Sequence, residues 1–361
     1  MQNALWVRSR PRRRVRFALL TSTVLLLSIV TAWNLTRSEA LAEAERAYAR
    51  GDLVGGLQQA LDYLERRPWS RAATLLAARC LSRLDYADQA EAYYRRAGRL
   101  SLNDQQIRAY GLVRGPHPES AIPVYREILG VAPDNVTAMR RLAAVLLSRN
   151  DKDQLLELAD RLDRVPAGQV IGAMLRGTVY HNDSNPQMAV ASFEQVLRLD
   201  PKLEEMPAAR PLFWTQLARD LIECGRIEDA GRYLDQALAA GPNPELTDLL
   251  GYTYFLRGEF EEAERCYRRA AESDPSLFDP HLNLAKLALQ RRNQDEALRE
   301  LNQARLLAPR RYGVLYSLAL VYRQLGQTAE ADKIQEEIKE LREAAATAPR
   351  TPRPSWPRYA L

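Results

Sequence analysis

The chain has 361 residues, 46% of them hydrophobic and 27% charged, with three cysteines and a formal charge of +5 at pH 7. Cys80, Cys224 and Cys266 are far apart and form no CxxC, which argues against a disulfide framework or a zinc site. The basic balance belongs to the two ends: residues 1–36 hold six Arg and no acid, residues 346–361 hold three Arg and no acid, and the middle has 42 basic against 46 acidic residues. A nucleic-acid groove, which needs charge gathered on one face, does not follow from this balance.

Residues 1–16 are a basic segment, with Arg8, Arg10, Arg12, Arg13, Arg14 and Arg16. From Phe17 to Thr36 no charge appears over 20 residues. At about 1.5 Å per residue this run spans roughly 30 Å, the thickness of a bilayer core. Trp33 stands where an interfacial aromatic is expected, and the Arg cluster is expected to stay cytoplasmic, directing the following chain outward. The expectation is one transmembrane helix over 17–36. The alternative is a cleaved signal sequence, for which Ala40-Leu41-Ala42 offers a small-x-small site and which would yield a soluble periplasmic or secreted binding protein.

The middle of the chain repeats. In Pro244–Leu277, Leu250, Gly251 and Tyr254 share one helical face, and Ala263, Tyr267 and Ala270 share another. Gly258 marks a turn between them and Pro275 closes the stretch. Small residues at Gly251 and Ala263 are expected to face each other and let two helices approach closely. The next 34 residues repeat the offsets with Leu284, Ala285, Ala297, Leu301, Ala304 and Pro309, and the following 34 with Leu318, Ala319, Tyr322, Gly326 and Ala331. Upstream, Trp214, Leu217, Ala218, Leu221, Gly225, Ala230, Leu234 and Ala237 do the same. One such hairpin cannot bury its own apolar face and needs copies of itself.

These residues closely resemble the tetratricopeptide repeat, with its W-x2-L-G-x2-Y, A-x3-F, A and P pattern. At the family's offsets nine units start at Arg37, Arg71, Leu102, Val136, Val170, Pro211, Pro244, Phe278 and Tyr312, over residues 37–345. The small position of the first helix reads Ala44, Ala78, Ala109, Ala143, Gly177, Ala218, Gly251, Ala285 and Ala319. That of the second helix reads Gly56, Ala90, Ala121, Leu155, Ala189, Ala230, Ala263, Ala297 and Ala331, with Leu155 the one departure. Gly115-Pro116-His117-Pro118 is expected to shorten the first helix of the third unit. Glu43 falls where the first unit should have a core Leu. A seven-residue insert, Glu204 to Arg210, precedes the sixth unit. Residues 346–361, with four prolines, read as a disordered Pro/Arg-rich tail.

The resemblance implies an all-α, right-handed superhelical solenoid whose first helices line a concave groove. At the family's groove-facing offsets stand Leu75 and Arg79; Gln106 and Tyr110; Met174, Thr178 and His181; Thr215, Arg219 and Ile222; Asp248, Tyr252 and Phe255; Leu282, Lys286 and Leu289; and Tyr316 and Arg323. Arg219, Tyr252, Phe255, Lys286 and Arg323 combine aromatics with cations, the residue types that carry interface energy. They are the expected partner-binding residues, for a protein or peptide with some preference for acidic segments. The three histidines lie in different units, and neither a Gly-rich phosphate loop nor a GxSxG turn is present. The expectation is therefore a membrane-anchored protein-interaction scaffold with its repeats on the extracytoplasmic side. No catalytic residue, cofactor, metal, small-molecule substrate or nucleic acid is expected.

Overall fold

Polar caps cut the chain into short helices. Asp52, Ser70, Ser101, Asn135, Asp151, Asn185, Asn243 and Asn293 each accept a hydrogen bond from a backbone N–H three residues on, which satisfies an otherwise unpaired donor of the helix that follows. Asn185 and Asn243 are followed by Pro186 and Pro244 at the first helical position, where a missing N–H costs nothing.

The computed structural model describes residues 39–205 and 210–347. The expected transmembrane segment lies outside them, as does the tail beyond Thr347. The helices are α1 (39–49), α2 (Leu53–Arg66), α3 (Arg71–Arg83), α4 (Ala87–Ala97), α5 (Leu102–Arg114), α6 (Ala121–Val131), α7 (Val136–Arg149), α8 (Lys152–Asp163) and α9 (Gln169–Asn182). They continue with α10 (Pro186–Leu199), α11 (Arg210–Glu223), α12 (Ile227–Ala239), α13 (Pro244–Leu256), α14 (Phe260–Ser273), α15 (Asp279–Gln290), α16 (Gln294–Leu307), α17 (Tyr312–Gln324) and α18 (Thr328–Thr347). Among the described residues these eighteen helices form nine packed pairs, and there is no strand. α18 runs to Thr347, past the boundary expected at residue 345, because the first proline that would stop it is Pro349.

The pairs divide into two compact units, with the boundary between Pro133 and Asp134. The first contains α1–α6 and the second α7–α18. In each, a pair buries its apolar face partly against the first helix of the next pair. Ala44 of α1 and Ala60 and Leu64 of α2 share a cluster with Ala73, Leu76, Ala77 and Cys80 of α3. Ala285 of α15 and Ala297 and Leu301 of α16 share another with Val314, Leu318 and Val321 of α17. All eighteen small positions, Leu155 included, are buried. Glu43 does not enter the core. It is exposed and pairs with Arg46 at 2.9 Å, because an ionised carboxylate is cheaper in water than in an apolar seam.

Within eight of the nine pairs the turn places one residue at positive φ at the same offset: Gly51, Asp85, Asn150, Ser184, Gly225, Gly258, Arg292 and Gly326. The third pair has Pro116 at that offset, and a proline ring holds φ near −65°. Its turn therefore takes another route. Gly115 is extended, with φ −74° and ψ −179°, and a short 3-10 turn, Pro118–Ser120, precedes α6. α5 keeps 13 residues, as α3 does, so the proline pair does not shorten the first helix as expected. A proline acts on the residue before it and on its own N–H, and both lie beyond the end of α5.

The close contact at Gly251 also differs from expectation. A side chain there would meet Tyr267 Cε1 at 2.8 Å and Cys266 Cβ at 3.0 Å, both nearer than any atom of Ala263. Gly177 stands in the same relation to Phe193, whose Cε1 would lie 2.5 Å away. These two small positions are glycine because an aromatic ring from the second helix lies across the first.

Candidate partner-binding site

In the second unit the first helices of consecutive pairs pack side by side, α9 against α11, α11 against α13 and α13 against α15. That packing buries part of the positions expected to face a groove. Met174 and Thr178 are fully buried and Asp248 is 7% exposed. In the first unit Leu75 is buried as well. These are corrections to the expected lining: the neighbouring first helix covers them.

The buried polar residues are joined across the seams between first helices. Thr178 of α9 donates to Gln216 Oε1 of α11 at 3.4 Å, and His181 Nδ1 lies 2.9 Å from Asp220 Oδ1. Asn283 of α15 donates its side-chain amide to both carboxylate oxygens of Asp248 on α13, at 3.0 and 3.1 Å. In the first unit Arg79 of α3 donates to Asp104 of α5 at 2.6 Å. A polar group in an apolar seam is tolerated when it is paired, and here each pair also fixes the register of two helices.

Around Asp248 the structure gathers four of the five residues expected to bind a partner. Lys286 donates to Asn283 Oδ1 at 2.9 Å, and its Nζ sits 5.6 Å from the centre of the Tyr252 ring. Tyr252 and Phe255, both half-buried, stack at 6.3 Å with planes 11° apart, and Phe260 continues the aromatic run 5.7 Å from Phe255. Arg219 is exposed on α11 and bears on the group through its charge on Asp248. Arg323 is exposed on α17, and among the described residues no hydrogen bond, ion pair or ring contact joins it to the other four.

Burial pushes the Asp248 carboxyl up to about 7. Asp279 adds to the rise, while the Asn283 amide, Lys286 and Arg219 oppose it. Desolvation lowers the pKa of Lys286, against the attraction of Asp248 and Asp279. Although Lys286 is exposed overall, its ammonium is held inward among Asn283, Asp248 and Tyr252. Asn283 was not among the expected site residues. Its one sequence signal is a polar residue set between Leu282 and Leu284 on a helix that is otherwise apolar there.

The arrangement places a ring surface and cations beside a buried polar seam. Among the described residues no group of three or more His, Cys, Asp or Glu is placed to hold a metal ion. Nor is any helix among them long and apolar enough to cross a membrane.

Models of the tetratricopeptide repeat match residues 173–203 and 282–349, and a model described as TPR repeat matches residues 251–291. The chain carries tetratricopeptide repeats over these stretches, and its described residues form an array of packed helical pairs. No curated protein matches it. Solved structures similar to it include a crystal structure of MamA, 20% identical, with a TM-score of 0.38, covering 48% of this chain and 97% of that one. Another is YrrB, described as a TPR protein with an unusual peptide-binding site, which is 19% identical with a TM-score of 0.44 and covers 54% of this chain and 96% of its own.

Proposed function

We propose that the chain is a membrane-anchored interaction scaffold that holds a segment of another protein across α11, α13, α15 and α17. Arg219, Tyr252, Phe255, Lys286 and Arg323 are the contact residues. Tyr252 and Phe255 supply the anchor, because a stacked ring pair that is only half-buried leaves apolar area for a partner to cover. The observation that carries the reading is this ring pair beside Lys286, over the Asp248–Asn283 link. Asp248 offsets part of the Lys286 charge, so Arg219 and Arg323 are the cations that select for acidic residues and set the salt dependence of association.

Residues 17–36 anchor the chain in this proposal, with residues 1–16 cytoplasmic and the repeats extracytoplasmic. Three experiments test it. A photo-crosslinking residue at position 252 or 255 of the full chain is expected to capture a discrete polypeptide, and the capture is lost when the other ring is replaced by Ala. Protease added to intact cells or spheroplasts is expected to reach the repeats and spare residues 1–16; repeats protected behind the membrane overturn the topology. A mature chain lacking residues 1–42 by mass assigns the run to a cleaved signal instead.

A further inference from the structure

The first unit carries a second surface, far in sequence from the ring pair. Trp69, in the connection between α2 and α3, is 89% exposed. It sits among arginines that have no carboxylate partner among the described residues: Arg66, Arg71, Arg95, Arg96 and Arg99. Two of them knit the edge together. Arg96 donates to Pro68 O, and Arg71 donates to Ala97 O at 3.0 Å and to Arg99 O, so the α2–α3 and α4–α5 connections lie side by side. Bonds to carbonyls hold these guanidiniums in place without cancelling their charge. Other arginines of the unit are neutralised, Arg79 by Asp104, Arg108 by Glu91 and Arg114 by Asp85.

The edge continues into a cavity of about 610 Å³, whose lining includes Arg95, Arg99, Leu102 and Val131. Leu102 is 37% and Val131 73% exposed, so the apolar groups beside the arginines are unburied as Trp69 is. Acids near it include Glu65, at the end of α2, Glu127 in the cavity wall, and Glu91, which is taken up by Arg108 of the same wall at 2.7 Å.

The place of this edge in the fold gives it a direction. Three residues join α1 to α2, so the two run antiparallel. Leu41 in the first turn of α1 packs into the same cluster as Leu64 in the last turn of α2. Residue 39, where the chain arrives from the uncharged run 17–36, is therefore at the same end of the pair as Trp69.

We propose that this edge lies against an anionic bilayer surface, with Trp69 in the headgroup layer, Leu102 and Val131 beside it, and the five arginines on lipid phosphates. Tryptophan is suited to that depth because its ring is apolar and its N–H is not, and basic side chains gain from the negative surface potential. A lipid surface is favoured over an acidic protein or RNA because Trp69 and Val131 are almost bare, at 89% and 73% exposure, and stand with uncompensated arginines at the same end of the helical pairs. The proposal rests on the membrane-anchor reading for its orientation only.

The test uses the full chain in vesicles of phosphatidylcholine, with or without phosphatidylglycerol, that contain brominated lipid as a quencher. The difference in emission between wild type and Trp69→Phe isolates Trp69. Trp69 is expected to be quenched in the phosphatidylglycerol vesicles and released at high salt. Arg66→Glu with Arg95→Glu and Arg99→Glu is expected to weaken the contact about 100-fold, at roughly fivefold for each basic residue near the surface. Carbonate extraction reads the anchor separately. A chain that resists extraction but whose Trp69 is never quenched keeps the anchor and overturns this proposal. A chain that carbonate releases but whose Trp69 is quenched keeps this proposal and overturns the anchor. Trp69 untouched by lipid but shifted by added polyglutamate or RNA assigns the edge to another partner and overturns it too.

Discussion

The side-chain amide nitrogen of Asn283 donates to both carboxylate oxygens of Asp248, across the seam between the seventh and eighth helical pairs. The pair joins two helices whose outward faces carry Tyr252, Phe255 and Lys286, so the ring platform and the polar seam are parts of one assembly.

The state of Asp248 should therefore be visible in stability. Its carboxyl is raised to about 7 by burial, from an unfolded value near 3.8. Below that unfolded value it is neutral in both states and the stability it permits is fully present. Between about 4 and 7 the unfolded chain releases its proton first, so stability falls as pH rises, and above about 7 the loss is complete. Asp248→Asn removes this titration. Urea unfolding at pH 5 and pH 8 is expected to show the variant gaining on wild type by about 1–3 kcal/mol at the higher pH. A constant difference between the two pH values would show that Asp248 is ionised throughout.

Gly251 is predicted to tolerate no side chain. Gly251→Ala places a Cβ 2.8 Å from Tyr267 Cε1 and is expected to cost about 1–3 kcal/mol. Tyr267→Leu in the same chain is expected to return most of it, since Ala218 and Ala285 stand opposite Leu234 and Leu301 at the same offsets in their own pairs. Ala263→Leu, at a fully buried position, should also lower the melting temperature, whereas Glu262→Leu beside it should change it little.

Arg292 holds φ at 59° in the turn of the eighth pair, where four other pairs use glycine. A β-carbon there costs about 1–2 kcal/mol. Arg292→Gly is expected to stabilise that pair by roughly 0.5–1 kcal/mol after the added freedom of the unfolded chain is counted. Hydrogen exchange of the α15 and α16 amides measures it, and faster exchange would contradict it.

For the ring pair, Tyr252→Ala with Phe255→Ala is expected to abolish partner capture while the circular dichroism spectrum stays helical, because both side chains are only half-buried. Losing such an anchor costs about 2 kcal/mol or more of binding. A folded double variant that still captures its partner would move the binding site away from α13.

Repetition made the helical pairs legible. The small residues recur at constant offsets, with Leu155 the one exception, because close approach of two helices favours a small side chain, so the pattern survives without any knowledge of the neighbours. The αL turn was legible where glycine marks it, at Gly225, Gly258 and Gly326, and hidden where Asp85, Ser184 or Arg292 carries the same φ. Tyr252, Phe255 and Lys286 were found from their offsets, yet Met174, Thr178 and Asp248 at comparable offsets are buried. The offset tells which face of a helix a residue takes, and not how far the next first helix reaches over it.

Two features depended on tertiary structure alone. Asp248 and Asn283 are 35 residues apart, and only the stacking of α15 on α13 makes one the partner of the other. The arginines around Trp69 come from two connections about thirty residues apart, in a middle segment whose acids outnumber its bases. Helical periodicity is local and is written in the order of residues, so the sequence by itself determined the pairs and their buried small positions. Charge compensation acts through space, and which guanidinium meets a carboxylate and which is left facing outward was decided only when the pairs stacked.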